Sequence, residues 1–400
     1  MVRRLSRGAA NPGQALYRHD GATIWGQSTA ERENMNSANA LKINANRVTP
    51  EPAVAKPRRD DKAMLRTAAD LTRDLNAPSD AIYWGDLIAS AVLGYGALAT
   101  AMLAASWPVM LVAGLVAILA LYRAGSFIHE LTHISRGALP GFKLGWNLLV
   151  GIPLLIPSFL YEGVHNLHHA KIRYGTIEDP EYLPLALMRP WTLPVFVIAA
   201  ALAPIALMFR FAVLAPLSLL SPRLRALVVA RYSGLQINPA FRRRPAEGDL
   251  ARQWRWQEAA TSLWAITLIA LVASGILPLR WFAVFLVVAS GTMLLNQVRT
   301  LVAHLWENDG EAMTVTEQYL DSVNVPPPGF LAALWAPVGL RYHALHHLLP
   351  GLPYHALAEA HRRICADCDP DATYHMSSYK GLAPLARRLA VSSWRGHAKV

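Results

Sequence analysis

Residues 108–133 read PVMLVAGLVAILALYRAGSFIHELTH, an apolar run that ends in two histidines four positions apart. As a helix rising about 1.5 Å per residue, the run crosses most of a bilayer before it meets Arg123 and continues into Ser126-Phe127-Ile128-His129-Glu130. Its inner end is polar and carries groups able to do chemistry. Working outward, Leu87 to Ala105 is uncharged, and Ala259–Ile276 and Trp281–Val298 are separated by the turn Leu277-Pro278-Leu279-Arg280. The expected spans are 87–105, 108–128, 259–276 and 281–303, which make four transmembrane helices in two hairpins.

Composition agrees. The chain is 53% hydrophobic and 16% charged, well below the roughly 25% charged of soluble domains, which excludes an ordinary soluble enzyme, a disordered chain and a disulfide scaffold. Only two cysteines are present, so the chemistry does not depend on thiol oxidation. The excess of 38 Lys and Arg over 27 Asp and Glu lies beside the apolar runs, notably at Arg223, Arg225, Arg231, Arg242, Arg243, Arg244, Arg252 and Arg255. It reads as a positive cytoplasmic face, not as a nucleic-acid surface. Both hairpin tips then point outward, with Trp107 and Trp281 at the tips and Trp84, Trp254 and Trp256 at the inner ends.

Two further apolar stretches, 144–160 and 193–220, are interrupted by Pro153 and Pro157 and by Pro204, Arg210 and Pro216. Each starts and ends among groups placed inside, so each is expected to be interfacial or re-entrant. Residues 1–62 are polar without sustained period and are expected to be a disordered tail. Residues 63–382 form the membrane domain, and 383–400 a C-terminal tail. The fold class is all-α: an integral membrane protein with interfacial helices and a cytosolic histidine-rich cap.

The histidines are the most informative residues. His129 and His133 are spaced i, i+4, and two triplets follow the pattern His-x-x-His-His: His165, His168, His169 and His343, His346, His347. On a helix these spacings put the imidazoles on one face. With 14 histidines in 400 residues, one such triplet arises by chance about 0.02 times. With His304 at the end of the last span, nine histidines converge on one side. Imidazole alone does not name the metal, but nine ligands exceed the four of a tetrahedral zinc site and suggest two metals of higher coordination, with redox iron preferred. Glu130, Glu162, Asp179, Glu307 and Asp309 are candidates to accept the second N–H of a ligating imidazole, Asp179 and Glu307 foremost.

The boxes His129-Glu-Leu-Thr-His133, His165-Asn-Leu-His-His169 and His343-Ala-Leu-His-His347, with His304 between the last two, resemble the membrane fatty acid desaturase superfamily. The texts Gly175-Thr-Ile-Glu-Asp-Pro-Glu181, Arg299-Thr-Leu-Val-Ala-His304 and Tyr342 to Pro350 through His361-Arg-Arg are similar to bacterial members, over roughly residues 80–365. The resemblance implies a helical stem and a cap in which the nine histidines hold two iron ions. These would use O2 to remove two hydrogens from a fatty acyl chain. It also places Thr300 where animal acyl-CoA desaturases carry an Asn that holds one iron through water, with Asn296 a turn further back.

Each turnover needs two electrons, and no haem, iron–sulfur, dinucleotide or fused cytochrome motif is evident. A separate donor of ferredoxin, rubredoxin or cytochrome b5 type is therefore expected, with Arg242–Arg244 as a candidate docking patch for an acidic donor. The expected location is the bacterial inner membrane with the active site on the cytosolic side.

Other readings compete. The same centre can hydroxylate a chain instead of desaturating it. His129-Glu130-Leu-Thr-His133 also fits the HExxH pattern of an intramembrane zinc protease, with Asp309 as a distant ligand, and a metal transporter would use histidines for transit. Cys365-x-x-Cys368 with His361 and His375 could form a small zinc site, Gly94-Tyr95-Gly96 is a fragment of a nucleotide fingerprint, and Arg123 and Arg299 suit snorkelling or pairing at span ends.

Overall fold

The computed structural model describes residues 59–135 and 137–397, which are helical and contain isolated bridges but no strand. Most of the expected N-terminal tail lies outside the described residues. Helix α1 (Lys62–Leu71) opens the described chain, with the Asp61 side chain accepting from Met64 N.

The first hairpin is α2 (Asp80–Leu103) and α3 (Trp107–Glu130). Ser106 precedes Trp107 in extended geometry, and Pro108 occupies the first turn, where a missing N–H costs nothing. Gly94 lets the two helices close: a Cβ there would stand 2.6 Å from Leu121 Cδ2. That packing accounts for Gly94 without a nucleotide. The Arg123 guanidinium binds both carboxylate oxygens of Asp86, which also accepts from Tyr354 OH at 2.9 Å. This joins the hairpin to the cap and bears out the pairing expected of Arg123.

Residues 142–160 turn back on themselves. Asn147 Nδ2 donates to Ser158 Oγ at 2.9 Å and Asn147 Oδ1 accepts from Ser158 N at 2.8 Å, while Phe159 N donates to Gln257 Oε1 at 2.8 Å. Short helix α4 (His165–His168) follows. The stretch Thr192–Ser218, here α5, is a continuous helical run of 27 residues and the fifth helix long and apolar enough to cross a membrane. The sequence reads it as interrupted. Instead Pro204 falls in the first turn after a 3₁₀ segment (Ala199–Leu202), and Pro216 follows a π turn (Arg210–Leu214), so neither proline breaks the run.

The second hairpin is α6 (Gly248–Ala273) and α7 (Leu279–Leu301). Helix α5 lies against both. Its Ala201 carbonyl accepts from Ser290 Oγ on α7 at 2.8 Å, and its buried Arg210 pairs with Glu258 on α6 at 2.5 Å. The outer faces of these helices expose Val92, Leu93, Val112, Leu115, Leu263 and Val287, apolar surface that a bilayer covers. The protein is an integral membrane protein, and among the described residues five helices could cross by length and composition.

The cap contains α8 (Val315–Asp321), started by a capping box between Thr314 and Glu317, and α9 (His343–Leu348). It continues with α10 (Leu357–Asp367) and α11 (Leu382–His397). The region set apart from residue 383 as a tail is this last helix. It buries Leu385 and Leu389, and Ser393 Oγ donates to Met188 O at 2.7 Å.

Candidate metal centre

The nine histidines come from four places in the chain. The last turn of α3 and the residues after it supply His129 and His133, and α4 with its C-cap supplies His165, His168 and His169. His304 follows the end of α7, and α9 gives His343, His346 and His347. They divide into two groups, each with its candidate ligand atoms within 4.8 Å of one another: His129, His133, His165, His169 and His346, and His168, His304, His343 and His347.

The spacing of the nitrogens tests whether a cation fits. Nε2 atoms approach at 2.9 Å (His165 to His169), 3.2 Å (His169 to His346), 3.0 Å (His304 to His343) and 3.2 Å (His343 to His347). At such distances two ring nitrogens either share a proton as N–H···N or direct their lone pairs at one cation. Donors at about 2.1 Å from one ion stand about 3.0 Å apart at right angles and about 3.4 Å apart in a tetrahedron. The observed range favours a higher-coordinate ion. Nε2 of both His129 and His133 is buried without a protein partner, as a metal-facing nitrogen should be.

Carboxylates and a phenol orient the rings from behind. Asp179, fully buried, takes the His168 Nδ1 proton at 2.9 Å. Glu181 takes that of His165 at 3.0 Å and accepts from Tyr161 OH at 2.8 Å. An ionised carboxylate only accepts, so Asp179 places the His168 ring proton on Nδ1 and leaves its Nε2 free to ligate, and Glu181 does the same for His165 when charged. Behind His304 Nδ1 stands Tyr174 OH at 2.8 Å, itself donating to Asp321 at 2.8 Å. Burial holds His133 down to about 4 and drives His165, His169, His304, His343, His346 and His347 well below the ordinary imidazole range, so they are neutral and competent as ligands at pH 7. Burial also acts downward on His168, but Asp179 outweighs it and leaves that pKa raised. The same desolvation pushes Glu181 up to about 7 and Asp321 up to about 6.

Of the other sequence candidates, Asp179 lies behind the cluster against His168. Thr300 lines the cavity beside His129 and donates its hydroxyl to Asn296 O at 2.9 Å. Glu307 does not reach the histidines: its carboxylate lies on the surface, 3.1 Å from Arg388. Glu162 binds Lys143 at 2.5 Å, and Asp309 is exposed. Glu130 Oε2 accepts from Tyr83 OH at 2.6 Å and Tyr354 N at 3.1 Å, which holds α3 to the cap. Cys365 Sγ is 3.5 Å from His361 Nε2 and 4.0 Å from His375 Nδ1, yet these residues form no metal group among the described residues. Arg243 is buried over Trp254 at 4.0 Å, so a docking role for Arg242–Arg244 loses its central member. Sequence reasoning missed Glu181, Asp321 and Tyr174 as partners of the histidines. Glu181 ends the Gly175–Glu181 text, whereas Asp321 has no local signal.

A family described as "Fatty acid desaturase" matches residues 105–379. The chain belongs to the fatty acid desaturase family. This is the histidine-box di-iron type, and it makes the chain an oxidoreductase-type membrane enzyme acting on lipid. A ceramide hydroxylase from Caulobacter vibrioides (strain NA1000 / CB15N) is 51% identical over 322 residues, 80% of this chain and 92% of that protein. No solved structure matches.

A cavity of about 420 Å³ opens beside the five-histidine group, within the range of small-ligand sites. Its walls come from α3 (Ser126, His129), α5 (Phe196, Ala199, Ala200, Ala203), α7 (Thr292, Asn296, Arg299, Thr300) and the loops carrying Tyr161, Glu181 and Gln236.

Proposed function

We propose that this chain is a di-iron, O2-dependent hydroxylase of a ceramide-type lipid. The observation that carries the reading is identity of 51% along 92% of a ceramide hydroxylase, joined to a histidine cluster with donor spacing suited to two ions. His129, His133, His165, His169 and His346 would hold one iron, and His168, His304, His343 and His347 the other. When bound, the pair supplies reduction of O2 and oxidation of a C–H bond. The balance is one C–H, one O2, two electrons and two protons in, and one C–OH and one water out.

The protein's own part is positioning. Asp179, Glu181 and the Tyr174–Asp321 pair fix the ring orientation of His168, His165 and His304. Thr300 takes a place on the cavity wall next to the centre. Ala199, Ala200 and Ala203 present a smooth apolar wall for a chain, and burial keeps the imidazoles unprotonated. The electrons come from a separate donor of ferredoxin, rubredoxin or cytochrome b5 type. The positive-inside pattern puts the centre on the cytosolic side of a bacterial inner membrane.

Lipid profiling of cells with and without the gene tests the reading. The expected product is a ceramide heavier by one oxygen atom, absent when His168 or His346 is replaced by Ala. A product lighter by two hydrogens would restore desaturation as the reaction.

A further inference from the structure

The arginines carried by the long apolar helices include Arg123, Arg210 and Arg299. Arg123 has Asp86 and Arg210 has Glu258. Arg299 differs. It forms no ion pair among the described residues, its Nε is buried without a partner, and its sole side-chain bond is to Asn296 Oδ1 at 3.5 Å, the outer limit of a hydrogen bond. The guanidinium is partly covered, and its buried Nε–H remains without an acceptor. Snorkelling is the ordinary remedy, but Arg299 instead lines the cavity that also contains His129.

Its neighbours repeat along one face of α7. Thr292, Asn296, Arg299 and Thr300 all line the cavity, at the i, i+4, i+7 and i+8 positions that share a helical face. The site thus offers a strong fixed donor flanked by an amide and hydroxyls. Among the residues lining it, Arg299 is the one cation, and Glu181 places a carboxyl group on the same cavity. Phosphate recognition uses several converging cations, and this lining offers one. A neutral group rich in acceptors and donors suits this lining.

We infer that Arg299, with Asn296 and Thr300, forms a subsite for the amide oxygen of an N-acylated lipid, and that it directs oxidation to carbons adjoining that amide instead of the middle of a chain. The inference rests on the ceramide-type reading above and deepens it. Taking a methylene at about the 30 Å³ of a water molecule, a cavity of about 420 Å³ admits an amide head and part of one chain but not a whole two-chain lipid. With the head held on the wall that ends beside the histidines, the first carbons past the amide are those brought to the centre. The far chain remains in the bilayer.

The test compares binding and product position in the iron-loaded protein in lipid nanodiscs. Wild type should bind an N-acylsphinganine about tenfold to a hundredfold more tightly than its trans-alkene isostere, which lacks the carbonyl acceptor. R299Q should bind both lipids at the isostere's level while keeping wild-type iron content, and R299K should recover part of the difference. Tandem mass spectrometry should place the new hydroxyl on a carbon next to the amide linkage. Equal binding of the two lipids by wild type, or a hydroxyl in mid-chain, overturns the inference, and both are read without any variant if R299Q fails to fold. Tighter, Arg299-dependent binding of a free fatty acid than of the ceramide would also overturn it by making the subsite an anion site. A desaturated product would instead defeat the proposed reaction, and the paired binding measurement would still decide the subsite.

Discussion

Replacing Asp179 by Asn changes one oxygen into a nitrogen and tests the architecture behind the metals. The Asp179 carboxylate accepts from His168 Nδ1 at 2.9 Å, Gly175 N at 2.9 Å and Glu181 N at 2.8 Å, and it is fully buried. An Asn amide has one acceptor where the carboxylate has two, so it must point its NH2 either at the imidazole N–H or at a backbone N–H. One buried donor is left unsatisfied, which costs about 1–3 kcal/mol. Loss of a carboxylate behind a ligating imidazole lowers metal affinity about tenfold to a hundredfold. His168 belongs to the four-histidine group, so the loss should fall on that ion. Under dialysis against a competing chelator, D179N should drop from two irons per chain toward one, with a lower melting temperature. E181Q, acting through His165, should weaken the ion of the five-histidine group. If D179N retains both irons with wild-type affinity, the assigned role of Asp179 is wrong.

Three other changes follow from the same geometry. E307Q removes a surface pair with side chains 44% and 45% exposed and should alter stability by no more than about 0.5 kcal/mol, with iron content unchanged in elemental analysis. E258A strands the buried Arg210, held at 2.5 Å, and frees Arg225, held at 2.7 Å. Removing one partner of a buried ion pair costs about 3–5 kcal/mol, which should appear as a large fall in melting temperature or loss of membrane-inserted protein. In the chelated protein the depressed imidazoles take up protons on unfolding, so stability should fall as pH drops from about 6.5 toward about 4, the value for His133. The raised carboxyls Glu181 and Asp321 act in the opposite sense but are outnumbered by seven lowered imidazoles. A melting temperature that is flat or rises toward pH 5 would contradict this.

The histidine groups were legible in the sequence because a helix enforces their spacing locally: i, i+3 and i+4 already imply one face. How the nine divide was not legible, since it depends on how four distant segments meet. The partner carboxylates show the same boundary. Glu307, three residues from His304, ranked with Asp179 among the candidate acids. Yet Trp306 adopts a left-handed backbone (φ 60°), and Glu307 ends on the surface against Arg388. Asp321 arrives from α8 instead, relayed by Tyr174. The spans were readable from apolar length, but α5 was not readable as one helix, because 3₁₀ and π turns absorb prolines that ordinarily mark a break.

The closing helix α11 has a consequence beyond its own stability. Through Ser393 and Leu389 it straps down the stretch around Tyr182, Leu185 and Met188, immediately downstream of the two acids that aim His168 and His165. Anything that lifts this strap, whether a deletion, a bulky fusion or a bound protein, slackens the acids behind His165 and His168, one histidine in each group. The end of the described chain is thereby wired to a histidine cluster that it never touches.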